Sequence, residues 1–76
     1  MPRKVKDIAQ DILNDWIVPN DYAAPYLSAM LKIENIEDNY GLDSAQSVVL
    51  YFLSNASSWK GEKAREIKKE LKALAS

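Results

Sequence analysis

The sequence predicts an all-α fold, a compact single-domain bundle of about four helices, and three observations carry that prediction. Apolar residues recur every three or four positions in separate segments, the period of helices with one buried face. Pro19, Gly41 and the pair Ser57 and Ser58 punctuate those segments. Residues 44–58, SAQSVVLYFLSNASS, carry no charge while the flanking chain is rich in it, which marks them as the element the rest packs around. Seventy-six residues leave no room for a second core. Even one core of this size is marginal and depends on a few large side chains or on a partner.

The first helix is expected over 3–18. Val5, Ile8, Ala9, Ile12 and Trp16 form a single apolar stripe, with Asp7, Gln10, Asp11 and Asn14 opposite. Pro19 ends it, because the residue before a proline is pushed out of helical geometry. The second is expected over 22–33. Pro25 suits a first helical position, and Tyr26, Ala29, Met30 and Ile33 make the stripe. Ile36 and Tyr40 continue that spacing, so the helix either extends to 40 or breaks before a short turn, and Gly41 closes it.

The third helix is expected over 44–56, with Asp43 as N-cap and Gln46 completing a capping box. The run VVLYFL also reads as a buried strand, but no second β-rich run exists to pair with it. On a helical wheel Ala45, Val49, Phe52 and Ala56 centre one face, flanked by Val48 and Leu53, and Phe52 is expected at the heart of the core. Leu50 and Tyr51 fall on the opposite side with Ser47 and Ser54. The fourth helix is expected over 59–74, capped by Ser57 or Ser58, with Ala64, Ile67, Leu71 and Leu74 as its stripe.

Composition narrows the chemistry. Without cysteine there is no disulfide, thiolate nucleophile or cysteine zinc site, and without histidine the commonest general base and metal ligand is gone. Glu34, Glu37, Asp38 and Asp43 surround Gly41, yet a calcium loop with Gly41 sixth would place Ile36 where the first carboxylate must stand. Asp7, Asp11 and Asp15 lie along one side of the first helix, and solvated they have nothing to activate them. No serine sits in a nucleophile-elbow setting, and two glycines make no phosphate loop. The expectation is a protein that is not an enzyme and holds no cofactor or metal.

The amino-terminal segment lacks the uninterrupted apolar core of a signal peptide. The longest apolar run, Val48 to Leu53, is far short of the ~20 residues of a membrane span, so a soluble cytoplasmic protein is expected. Ten basic against eleven acidic residues give a net charge of −1 and no bulk attraction to nucleic acid. Local segregation is another matter. Lys60, Lys63, Arg65, Lys68, Lys69 and Lys72 fall in the last helix, where they would grip a phosphate backbone. Glu62, Glu66 and Glu70 recur among them every four residues, and a solvated face with local ion pairs is weighed above nucleic-acid binding.

The aromatic residues are mostly expected in the core, with Tyr51 and its neighbour Leu50 as exceptions by position. Either another part of the chain covers them or they border an exposed patch of the residue types favoured at interface hot spots.

The stretch from Tyr40 to Leu71, through LYFLSNASSWKGE and the Lys/Glu-rich segment after it, resembles small uncharacterised proteins encoded by phages and mobile elements of gut Firmicutes. The resemblance implies a bacterial cytoplasmic setting and a compact accessory protein, a kind that often works by binding a host or phage protein, inhibitors of defence systems among them. The function expected is thus a non-enzymatic protein-binding module, acting on a partner or by self-association through Leu50 and Tyr51. The alternative is a helical nucleic-acid-binding protein using the basic last helix. A third reading, an acidic mimic of nucleic acid through Glu34, Glu37, Asp38 and Asp43, offers only a small footprint.

Overall fold

A computed structural model describes residues 3–16, 21–41 and 43–75. The chain forms α1 (Val5–Asp15), α2 (Ala24–Met30), a hairpin of β1 (Asn39–Tyr40) and β2 (Asp43–Ser44), then α3 (Ala45–Ser54) and α4 (Glu62–Ala75). α3 packs against both α2 and α4, and α1 spans the same two helices. The radius of gyration, 11.0 Å, matches the roughly 11 Å of a fully collapsed chain of this length. The four-helix bundle is therefore the fold, with a two-residue hairpin inserted ahead of its central helix.

α1 buries Val5, Ile8, Ala9 and Ile12, the stripe its spacing predicts. No side chain caps its start. The Val5 and Lys6 amides instead donate to the carbonyls of Glu34 (2.9 Å) and Ile33 (2.8 Å) in the segment after α2. Amides that no intrahelical carbonyl reaches are thus satisfied by tertiary contact. The helix ends at Asp15, with Trp16 still bonded back to the Ile12 carbonyl at 2.7 Å. Residues 17–18 and the proposed stop at Pro19 lie outside the described residues.

α2 is shorter than its expected span. Pro25 sits in its first turn, and the Lys32 and Ile33 amides bond three residues back, tightening the chain out of the helix after Met30. Its buried side chains are Leu27, Ala29 and Met30, so Leu27 takes the core position expected of Tyr26. The continuation to 40 does not occur. The Asp38 carboxylate accepts from the Asn35 amide at 3.1 Å, turning the chain, and residues 39–40 pair antiparallel with 43–44. Gly41, at φ +65°, supplies the left-handed conformation the hairpin turn needs, rather than closing a helix.

The cap of α3 lies one residue later than Asp43. The Ser44 hydroxyl accepts the Ser47 amide at 3.1 Å, and the first amide of the helix, from Ala45, reaches the Asp38 carbonyl at 2.8 Å. Gln46 completes no capping box. Its amide donates to the Ala75 carbonyl, closing the far end of α4. Ala45, Val48, Val49 and Phe52 are buried on the predicted face, with Ala56 just past the helix end.

α4 begins at Glu62, three residues after its expected start. Gly61 has φ +115°, a conformation L-residues rarely adopt, and its carbonyl accepts the Arg65 amide at 3.0 Å, the first turn of the helix. Trp59 therefore lies in the α3–α4 connection and is still 3% exposed. It stacks on Trp16 with centroids 5.7 Å apart and planes 3° from parallel. Both indoles meet Phe52 edge-on, at 6.3 Å from Trp16 and 6.4 Å from Trp59. This three-ring cluster ties α1, α3 and the connection to α4 into one core.

A candidate docking face and a segregated basic flank

The outward side of α3 presents what its wheel predicts. Leu50 is 45% exposed and Tyr51 is 51% exposed, while Val49 and Phe52 beside them are fully buried. The packing of α2 on α3 brings the half-buried Tyr26 to Tyr51, with ring centroids 5.6 Å apart and planes 34° from parallel. Tyr22, one turn ahead of Tyr26 in sequence, is the most exposed large apolar side chain described, at 76%. Polar groups edge the Leu50–Tyr51 backbone. The Ser54 hydroxyl donates to the Leu50 carbonyl at 3.1 Å, and the Asn55 amide to the Tyr51 carbonyl at 2.8 Å.

The helical wheel places Leu50 and Tyr51 on the outer side of α3, where they are exposed, but the spacing of α2 assigns Tyr26 to the core. A signal for the difference was present. Leu27 follows Tyr26 directly, and an aliphatic residue needs burial more completely than a phenol that keeps its hydroxyl in water.

The basic residues of the last helix are arranged otherwise than their sequence alternation suggests. At about 100° per residue, Arg65, Lys68, Lys69 and Lys72 fall within an arc of about 100° on one flank of α4, while Glu62, Glu66 and Glu70 share an arc of about 80° on another. The four-residue recurrence of the glutamates collects them on one side, bordering the basic flank rather than alternating through it. Lys63 falls at the edge of the acidic arc, and Lys60 lies in the connection ahead of the helix. Glu70 is drawn further away by Arg3, whose guanidinium holds both its carboxylate oxygens, at 2.9 and 2.6 Å, and also grips Asp11. These charge-assisted bonds hold Glu70 and Asp11 below the usual carboxylate range.

Lys60, Arg65 and Lys68 line an open pocket of about 320 Å³ together with Trp59, Gly61 and Ala64. Lys68 is half-buried. Its ammonium donates to the Trp59 carbonyl at 2.6 Å and lies 5.8 Å from the centroid of the Trp59 indole. Partial burial, then the charges of Lys72 and Lys60, hold that ammonium below the ordinary lysine value.

Several carboxylates have structural partners. Asp11 serves Arg3, and the Asp15 carboxylate accepts the Trp59 indole N–H at 2.8 Å. Asp38 turns the chain, and Glu34 lies 3.3 Å from Lys6. Among the described residues no three acidic side chains converge as metal ligands, and no helix is long and apolar enough to cross a membrane. Comparison with protein-family models, curated proteins and solved structures finds no match.

Proposed function

We propose that this is a non-enzymatic protein-binding module that docks a partner protein through the face made by Leu50, Tyr51 and the adjoining Tyr26. The observation that carries the reading is economy. A 76-residue chain has few large side chains to place, and it leaves Leu50 and Tyr51 exposed beside a core complete without them. Tyrosine offers large contact area at low entropic cost, which is why it recurs at interface hot spots. If the sequence resemblance of Tyr40 to Leu71 holds, the setting would be the bacterial cytoplasm, where such an accessory protein would occupy a surface of a host or phage protein.

The test is the double substitution Leu50→Lys with Tyr51→Glu. Both side chains are near half exposed, so the variant is expected to keep the wild-type circular dichroism and to melt close to wild type. Capture of bacterial lysate proteins on immobilised wild type and variant is then compared, and the same pair is run in sedimentation equilibrium to read self-association. Association present in wild type and lost from the folded variant supports the face. A variant that unfolds shows the two residues to be ordinary core, and association unchanged in the variant places the interface elsewhere.

A further inference from the structure

The pocket beside Trp59 and the flank of α4 have no role in the docking face, and their chemistry is different. Lys60, Arg65 and Lys68 converge on one open cavity of about 320 Å³. Lys69 and Lys72 continue the same flank of the helix. No ion pair joins Lys60, Arg65, Lys68, Lys69 or Lys72 to a carboxylate among the described residues. The charges that perturb Lys68 are cations, Lys72 and Lys60, with no carboxylate among its causes. Asp15 is engaged by the indole N–H of Trp59, and Glu62 and Glu66, which follow Gly61 and Arg65 in sequence, form no ion pair with the pocket cations. Cations gathered with no carboxylate in ion-pair contact repel one another, and an anion bound among them relieves that repulsion.

The shape of the cluster indicates the kind of anion. From Arg65 to Lys72 the helix rises about 10 Å, at about 1.5 Å per residue. That is the length of roughly three phosphates of one strand at about 3.4 Å each. A row suits a polyanion better than a single ion. Gly61, at the pocket rim, has open space where a side chain would begin, so a backbone can approach closely. Base stacking is not on offer, because the Trp59 indole is 3% exposed and already stacked on Trp16.

We propose that the Trp59–Gly61 pocket, with Lys60, Arg65 and Lys68 on its wall and Lys69 and Lys72 extending it along α4, binds the phosphate backbone of nucleic acid without reading its bases. Contact with about three phosphates predicts that log Kd changes with log salt by about 2 for a single strand, which weakens binding about twenty-fold between roughly 50 and 200 mM salt. Binding is therefore expected at low ionic strength and weak at physiological salt.

The experiment is fluorescence anisotropy with labelled single-stranded oligonucleotides of about 12 nucleotides, one adenine-rich and one thymine-rich, at low salt. Inorganic phosphate serves as competitor, and the variants are Arg65→Ala/Lys69→Ala/Lys72→Ala and Leu50→Lys/Tyr51→Glu. The three substituted cations are exposed and outside the core, so the triple variant is expected to keep the wild-type circular dichroism. The proposal requires similar binding of both sequences and the stated salt dependence. It also requires loss of at least ten-fold in affinity in the triple variant and none in the docking-face variant. Failure to bind at low salt overturns it, as does a folded triple variant that binds like wild type. Strong preference for one sequence would show base reading instead. Displacement by inorganic phosphate at concentrations comparable to the oligonucleotide's phosphates would make the pocket a small-anion site and overturn the polymer assignment.

Discussion

Trp59 lies outside every helix, yet it makes contacts to three of them. Its ring stacks on Trp16 at the end of α1, meets Phe52 of α3 edge-on, and has the Lys68 ammonium of α4 over it. Its N–H is satisfied by Asp15 at 2.8 Å, so the buried indole leaves no polar group unpaired. Removing the acceptor in Asp15→Ala is expected to cost about 1–2 kcal/mol in urea unfolding, the penalty for a buried donor that has lost its partner. A change under about 0.5 kcal/mol would mean that water replaces the carboxylate there. Phe52 is fully buried at the meeting point of the two indoles. Phe52→Ala is expected to cost about 3–5 kcal/mol, since the cavity would open among large rigid rings that cannot collapse into it. A variant melting within a few degrees of wild type would show the cluster to be peripheral. Phe52 was legible in the sequence because its helical face was, whereas the role of Asp15 was not. Nothing in residue spacing connects a carboxylate in α1 to an indole 44 positions away.

At the scale of elements, legibility followed the strength of the period. α1 and α3 announce their buried faces because aliphatic residues recur there without competition. The hairpin was hidden because strands of two residues carry no alternation to read, and because a left-handed glycine such as Gly41 signals a helix end and a tight turn equally well. α4 was read too long since serines and an apolar Trp59 imitate a capped helix start, while the actual boundary is set by the conformation of Gly61. The segregated charge of α4 was available from the four-residue spacing of its glutamates, which places them on one face. What joins α4 to the amino terminus is Arg3, holding Glu70 and Asp11 together. Both carboxylates sit lower in the folded state than in the unfolded chain, so their contribution is full above the ordinary carboxylate range and is lost as pH falls below it through the lowered folded values. The side chains are about a third exposed, which limits the clamp to about 1 kcal/mol. Arg3→Ala is thus expected to lower the melting temperature at neutral pH and to approach wild type as pH falls below the ordinary carboxylate range. A difference that persists unchanged at acid pH would assign the effect of Arg3 to packing instead.

For the whole molecule, stability of about 4–11 kcal/mol is expected from its length, so one large ring carries a substantial share of it. No helix here is independent. An isolated helix of the length of α1 is marginal in water, and the first amides of α1 are held by carbonyls that follow α2. The end of α4 is held by Gln46 of α3, and the aromatic cluster draws on α1, α3 and the connection to α4. These helix termini and ring contacts therefore depend on another element being in place, which is the condition for one cooperative transition. The two indoles and the helical backbone report on different parts of that network. Tryptophan fluorescence follows the docking of Trp16 on Trp59, and far-ultraviolet circular dichroism follows all four helices. The expected result is a single urea midpoint shared by both signals, and a Phe52→Ala variant in which both midpoints fall together. If fluorescence changes at lower urea while helicity persists, the aromatic cluster opens as a separate unit. The helices would then be held by the aliphatic contacts of α2 and α3 rather than by one common core.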